Sequence, residues 1–194
     1  KTTFCMEYLY RGALNGEKGA FITLEESPEV VIENTIATFP KWTDFKNLID
    51  KKIISVIKPD RTDFTSFSDI AQACCTQMKT TRLVIDSSTI LKLSFDNPLE
   101  FRKKLVDFLS FARNLDATIL MTAELSYPVR GKIHYSIEQF AADGVIILYN
   151  LEKAEKRVRA LEILKMRGTD HSRDLVPMKF TPSGITVYQG EKVY

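Results

Sequence analysis

Lys1-Thr2-Thr3-Phe4 opens the chain with residue types that end a phosphate-binding loop. In the complete pattern G-x-x-x-x-G-K-[ST], backbone N–H groups of a glycine turn cradle phosphates, the lysine reaches the outer phosphates and the hydroxyl ligates Mg²⁺. Only the Lys-Thr pair of that pattern stands in the sequence, and such a pair is common, so its meaning depends on the other charged groups. Asp86 closes the apolar run Leu83-Val84-Ile85. An aspartate at that place can hold Mg²⁺ opposite the loop hydroxyl, and the competing reading is a turn or N-cap acid. Glu25-Glu26 follows the apolar run Ala20–Leu24. A carboxylate there can orient and deprotonate a water that attacks a γ-phosphate, or can simply favour a helix N-terminus through the dipole. The remaining conspicuous segment is Lys165-Met166-Arg167-Gly168-Thr169-Asp170-His171, whose plain reading is a solvated basic strand end.

These side chains need a frame that brings strand ends together. Short apolar runs bounded by turn residues alternate with helical periods, the signature of an α/β fold with a largely parallel sheet. Ala20–Leu24 predicts a strand, and Ser27-Pro28-Glu29 supplies an N-cap and N1 proline for a helix to about Thr38. Ile53–Ile57 predicts a second strand. A helix over Ser66–Lys79 places Phe67, Ile70, Ala71, Cys74 and Met78 on one apolar stripe, and Arg82–Asp86 is a buried strand tipped by an acid. Asn97-Pro98-Leu99-Glu100 has capping-box spacing before a helix that faces Phe101, Leu105, Phe108, Leu109, Ala112 and Leu115 inward. Ala117–Thr122 is the next strand, followed by a loop at 125–137, a short helical segment near Glu138 and a strand at Gly144–Tyr149. From Arg157 onward, Val158–Met166, Pro177–Phe180 and Ile185–Tyr188, with a turn at Pro182-Ser183-Gly184, read as an antiparallel edge.

Composition sets the limits. A chain of 194 residues, 44% hydrophobic and 27% charged, is one ordinary globular domain with no repeat or low-complexity tract. A net charge of +2 is too mild to point to nucleic acid or a membrane, and no apolar run approaches the roughly 20 residues of a span. The three cysteines and two histidines offer neither a disulfide framework nor a zinc site, so the expected location is cytoplasmic.

Five segments occur in order: Gly19–Pro28 (GAFITLEESP), Arg82–Ser87 (RLVIDS), Thr122–Glu124 (TAE), Ala142–Leu148 (ADGVIIL) and Ala160–His171 (ALEILKMRGTDH). Together with Lys1-Thr2 they closely resemble the KaiC-like branch of the RecA superfamily of ATPases, in its prokaryotic, archaeal-type single-domain form. The resemblance runs from Lys1 to Tyr188. It implies a RecA-like P-loop NTPase fold over residues 1–194, ATP and Mg²⁺ as ligands, and a homo-oligomeric, commonly hexameric ring with ATP between subunits. On this resemblance Lys1 is the phosphate-loop lysine, Thr2 the Mg²⁺ hydroxyl with Thr3 beside it, and Asp86 the second metal residue. Glu25 is the catalytic carboxylate and Glu26 its companion. Lys165 and Arg167 are the basic residues one subunit lends to its neighbour's nucleotide, as an arginine finger does. Thr169, His171 and Thr181 line the adenosine end, and Glu124 relays nucleotide state into the following loop.

Some positions depart from the family pattern. Pro182 replaces an acid near the nucleotide, and the adjacent Ser/Thr pair of autophosphorylating relatives falls on Gln139-Phe140, which accept no phosphate, so no autokinase is expected. The strand that leads into a phosphate loop is central in such a sheet, so its residues and the glycines are expected upstream of Lys1 in the natural protein. A second reading gives loop 125–137, with Tyr127, Arg130, Lys132, His134 and Tyr135, to single-stranded DNA in the manner of a recombination-modulating protein. A third is a nucleotide-free interaction module, and for the ATPase a conformational or signalling output with a protein signalling partner is expected.

Overall fold

Four short apolar runs in the first 124 residues lie side by side as parallel strands in the computed structural model, which describes residues 1–124, 137–153, 156–191 and 193. The chain divides into two units, Lys1–Glu124 and Leu125–Tyr194. In the first, the strands are β1 (Gly19–Thr23), β2 (Ile54–Ile57), β3 (Arg82–Asp86) and β4 (Thr118–Met121), in the order β2-β1-β3-β4. Register runs Gly19↔Arg82 to Thr23↔Asp86 between β1 and β3, and Arg82↔Thr118 to Ile85↔Met121 between β3 and β4. The carboxyl ends of three strands therefore level out around Thr23, Asp86 and Met121, the side on which open α/β sheets bind ligands. All five residues of β1 are buried, as expected of a parallel strand covered on both faces.

One helix, α1 (Thr2–Leu14), precedes β1, and helices fill the crossovers: α2 (Pro28–Thr38), α3 (Phe45–Asp50), α4 (Phe64–Thr76), α5 (Ser88–Leu93) and α6 (Pro98–Ala112). The predicted caps form with local differences. Ser27 accepts from Val30 N, and Pro28 takes the first helical position. Asn97 accepts from Leu99 N rather than from Glu100 N, so it caps one residue earlier than a capping box would. The α4 helix starts ahead of Ser66 because Asp63 accepts from both Ser66 N (3.0 Å) and Ser66 Oγ (2.9 Å). Those bonds, the backbone one foremost, hold the Asp63 carboxyl below its ordinary pKa. Phe67, Ala71 and Cys74 of its stripe are buried, and Phe67 lies 4.9 Å from the Phe108 ring of α6. The sequence reading placed no helix at α1, α3 or α5. At six residues each, α3 and α5 are too short to display a period.

In the second unit α7 (Ile137–Ala141) precedes β5 (Gly144–Lys153), β6 (Lys156–Met166), β7 (Val176–Thr181) and β8 (Gly184–Val187), an antiparallel sheet in that order. The antiparallel part thus begins before Arg157, at Gly144. Only two residues separate β5 from β6, which admits a hairpin and excludes a parallel crossover. Pairing runs from Gly144↔Met166 to Lys153↔Lys156 with one irregularity between Val145 and Ile146. Val145, Ile147, Tyr149, Ala160 and Val193 form this unit's core.

Candidate functional site

The chain's first helix is pinned at both ends against the parallel sheet. Cys5, Met6, Leu9 and Tyr10 are buried along one side of α1. Toward its C-terminal end Arg82 Nη1 donates to Tyr8 O (2.8 Å), its guanidinium lies 4.7 Å from the Tyr8 ring, and Tyr8 OH donates to Thr118 O (3.2 Å). Gly12 makes this approach possible, since a Cβ there would collide with the Arg82 side chain. At the other end Thr2 Oγ1 donates to Asp86 Oδ2 at 2.6 Å. The N-terminus of α1 therefore meets the carboxyl end of β3. No side chain caps it and its first turn holds no acid. A 13-residue helix presents its unshared N–H groups and positive dipole end there, a favourable place for an anion.

The segment after β3 is laced to its neighbours. Thr122 Oγ1 donates to Asp86 Oδ1, so both carboxylate oxygens of Asp86 accept a threonine hydroxyl. Thr122 N donates to Ile85 O (2.9 Å), and Thr122 O accepts from Ser88 N (2.9 Å) and Ser88 Oγ (3.0 Å). Thr89 Oγ1 accepts from Glu124 N (3.1 Å), and Glu124 Oε1 pairs with Lys1 Nζ at 3.3 Å. On the β1 side, Ser87 Oγ donates to Glu25 Oε1 (2.6 Å) and Leu24 N to Asp86 O (2.7 Å). Lys58 Nζ donates to Glu25 O at 2.9 Å, and Glu26 is joined through its carbonyl to Thr23 Oγ1 at 2.9 Å. Lys1, Thr2, Glu25 and Asp86 thus converge on one edge of the first unit. The side chain of Glu26 is exposed and Thr3 is half-buried on α1.

A carboxylate and a hydroxyl in contact form a hard-oxygen donor pair, which suits a small divalent cation such as Mg²⁺. Among the described residues no group of three or more His, Cys, Asp or Glu could enclose a metal unaided. Cys5 lies beneath this site but is no nucleophile. Burial, and then the Asp86 charge, push its thiol up to about 12.

In the second unit, Lys165 Nζ donates to three carbonyls at the end of α7: Gln139 O (3.2 Å), Phe140 O (3.1 Å) and Ala142 O (2.6 Å). Arg167 pairs with Asp143 (3.1 Å) and donates to Phe140 O (3.3 Å). A helix C-terminus with unshared carbonyls attracts cations in this way. Thr169 is exposed beyond β6, while His171 Nδ1 lies 2.9 Å from Ser172 O. Thr181 Oγ1 donates to Gly184 O (2.7 Å) and closes its own turn. Tyr127, Arg130, Lys132, His134 and Tyr135 lie outside the described residues.

Two residues of the lacing, Ser87 and Thr122, were quoted in motifs but given no role by sequence reasoning. Hydroxyls beside strand-end acids were the available signal, although Ser and Thr are common at such positions.

The family model described as "ATPase: KaiC" matches residues 1–192. The circadian clock oscillator protein KaiC of Prochlorococcus marinus subsp. pastoris is 33% identical over 97% of this chain and 38% of its own length. KaiC of Parathermosynechococcus lividus is 32% identical over 97% of this chain and 36% of its length. This chain therefore spans well under half of those relatives. Among solved structures, a KaiC-like protein from the archaeon Pyrococcus horikoshii OT3 superposes with a TM-score of 0.82 and 32% identity, covering 96% of this chain and 83% of that one.

Proposed function

The chain belongs to the KaiC family of ATPases and carries its RecA-like fold, and on that footing we propose that it binds ATP and hydrolyses it with Mg²⁺ at subunit interfaces of a homo-oligomeric ring. The observation that carries this reading is the convergence of Thr2, Asp86 and Glu25, two of them bonded directly and the third held by the residue after Asp86. Lys1 reaches the outer phosphates, and the N–H groups of the first turn of α1 donate to phosphate oxygens. Thr2 and Asp86 would hold Mg²⁺, which when bound would neutralise charge on the phosphate oxygens. Glu25 orients a water and takes its proton as the water attacks the γ-phosphorus and the bond to the bridging oxygen breaks, releasing ADP, and Ser87 fixes the carboxylate's direction. Glu26 and Thr3 stand beside these groups.

Lys165 and Arg167 act on the nucleotide of a neighbouring subunit, exchanging their carbonyl and Asp143 partners for phosphate oxygens. Thr169, His171 and Thr181 serve the adenosine end of the same neighbour's ligand. Gln139-Phe140 offers no phosphate acceptor, so the reaction ends on water. A hexameric ring, a cytoplasmic location and a protein signalling partner complete the reading. Among the described residues no helix is long and apolar enough to cross a membrane. The test is ATP turnover by the full chain. Glu25→Gln is expected to lower turnover roughly a thousandfold while ATP binding persists, because only water activation is lost. Undiminished turnover in that variant refutes the assignment.

A further inference from the structure

We propose that Thr122 is a positioning residue for Asp86, fixing the carboxylate so that its second oxygen faces the Thr2 hydroxyl. The inference rests on the reading of Asp86 as the Mg²⁺ acid and adds a residue to it. Thr122 is 7% exposed and follows β4 directly. Its backbone is held on both sides, N–H to Ile85 O and carbonyl to the N–H and hydroxyl of Ser88. Its Cβ is therefore fixed relative to β3, and a β-branched side chain has few rotamers left. The hydroxyl so placed donates to Asp86 Oδ1, while Oδ2 takes the Thr2 hydroxyl at 2.6 Å.

Each oxygen of Asp86 thus has its own donor, and the two donors come from different elements. Without the Thr122 hydroxyl, Oδ1 would be a half-buried acceptor with no donor among the described residues, and the carboxylate would turn toward water or toward Thr2 with the wrong oxygen. The same threonine also ties the site to Glu124, two residues on, which pairs with Lys1. One strand end therefore sets both the Asp86 carboxylate and the partner of the Lys1 ammonium.

The test is Mg²⁺ titration of fluorescent methylanthraniloyl-ADP binding to the full chain, which needs no turnover. Thr122→Val, close in shape and lacking the donor, is expected to raise the half-saturating Mg²⁺ concentration about tenfold, as loss of a partner behind a metal ligand does. Thr122→Ser, which keeps the hydroxyl, is expected to restore most of the affinity. Should Thr122→Val fail to fold, Thr122→Ala against Thr122→Ser makes the same comparison. Unchanged Mg²⁺ dependence in Thr122→Val, beside a clear shift in Asp86→Asn, overturns the proposal and leaves the metal acid in place. An equal shift in Thr122→Ser and Thr122→Val also overturns it, because keeping the hydroxyl would then make no difference. No shift in Asp86→Asn removes the metal reading itself, and this inference with it.

Discussion

The two units treat their charged residues differently. In residues 1–124 the functional groups are bonded to one another: Thr2 to Asp86, Ser87 to Glu25, Lys1 to Glu124. In residues 137–193 the cations that the family reading makes functional are bonded to their own backbone and to Asp143. On the proposed reading the first arrangement is a site largely preset for its ligand, and the second is a pair of donors stored on a helix end, with carbonyls as partners that a phosphate, carrying full charge, would replace. A parallel sheet favours the first because it aligns several strand ends at one level. A hairpin offers only its own ends, so donors there satisfy local carbonyls until something stronger is presented.

The largest test of this contrast is Arg167→Ala, expected to lower turnover about a thousandfold in the assembled protein, the scale of a lost arginine finger. Mixing it with Glu25→Gln subunits should restore activity, since each variant supplies what the other lacks. Failure of rescue would mean that Arg167 acts within its own subunit or only structurally. Next comes Phe67→Ala in the first unit's core, where a fully buried ring packs against Phe64 and Phe108. Its unfolding free energy should fall by about 3–5 kcal/mol, read by denaturant titration. A loss near zero would show that the preset site does not rest on this packing.

Smaller is Tyr149→Phe, which removes the 2.7 Å bond from Tyr149 OH to Glu162 in the second unit and should cost about 1 kcal/mol. A cost as large as that of Phe67→Ala would erase the difference in how the two units are held. The smallest effect at neutral pH is electrostatic. Burial raises the Cys5 thiol from 9.0 to about 12 and the Cys74 thiol to about 11. The folded state keeps these protons more tightly than the unfolded one, so their stabilisation is complete below about pH 9 and is lost as pH rises toward 12. All three cysteines lie in the first unit, so alkylation of Cys5 reports opening of that unit alone. Rapid labelling of Cys5 in the native protein at neutral pH would contradict its burial.

Much of the α/β frame could be read directly from the chain. The apolar runs at Ala20, Leu83 and Ile119 became strands because nothing else accommodates continuous β-branched and aliphatic residues of that length between turns. The acids at Glu25 and Asp86 could be singled out because strand ends are where such sheets bind ligands. The start of the antiparallel sheet was misplaced because the continuous apolar run Val145–Tyr149 reads like the buried parallel strands before it. The α1 helix went unassigned although its buried side is apolar, since Gly12 and three aromatic residues blur its period.

Sequence alone determined the strands, the helices α2, α4 and α6, the caps at Ser27 and Asn97 and the family, because these depend on local sterics and on residue order. Tertiary structure alone decided which hydroxyl meets which carboxylate. Thr122 lies 36 positions from Asp86 and looks like any other threonine in the chain, whereas Thr2, 84 positions away, is marked by the lysine before it. Only the level at which β3 and β4 end, and the direction in which α1 returns along the sheet, bring their hydroxyls to opposite oxygens of one side chain. Such an encounter is set by packing and register between distant segments, and hydrogen bonds of that kind leave no periodicity in the sequence.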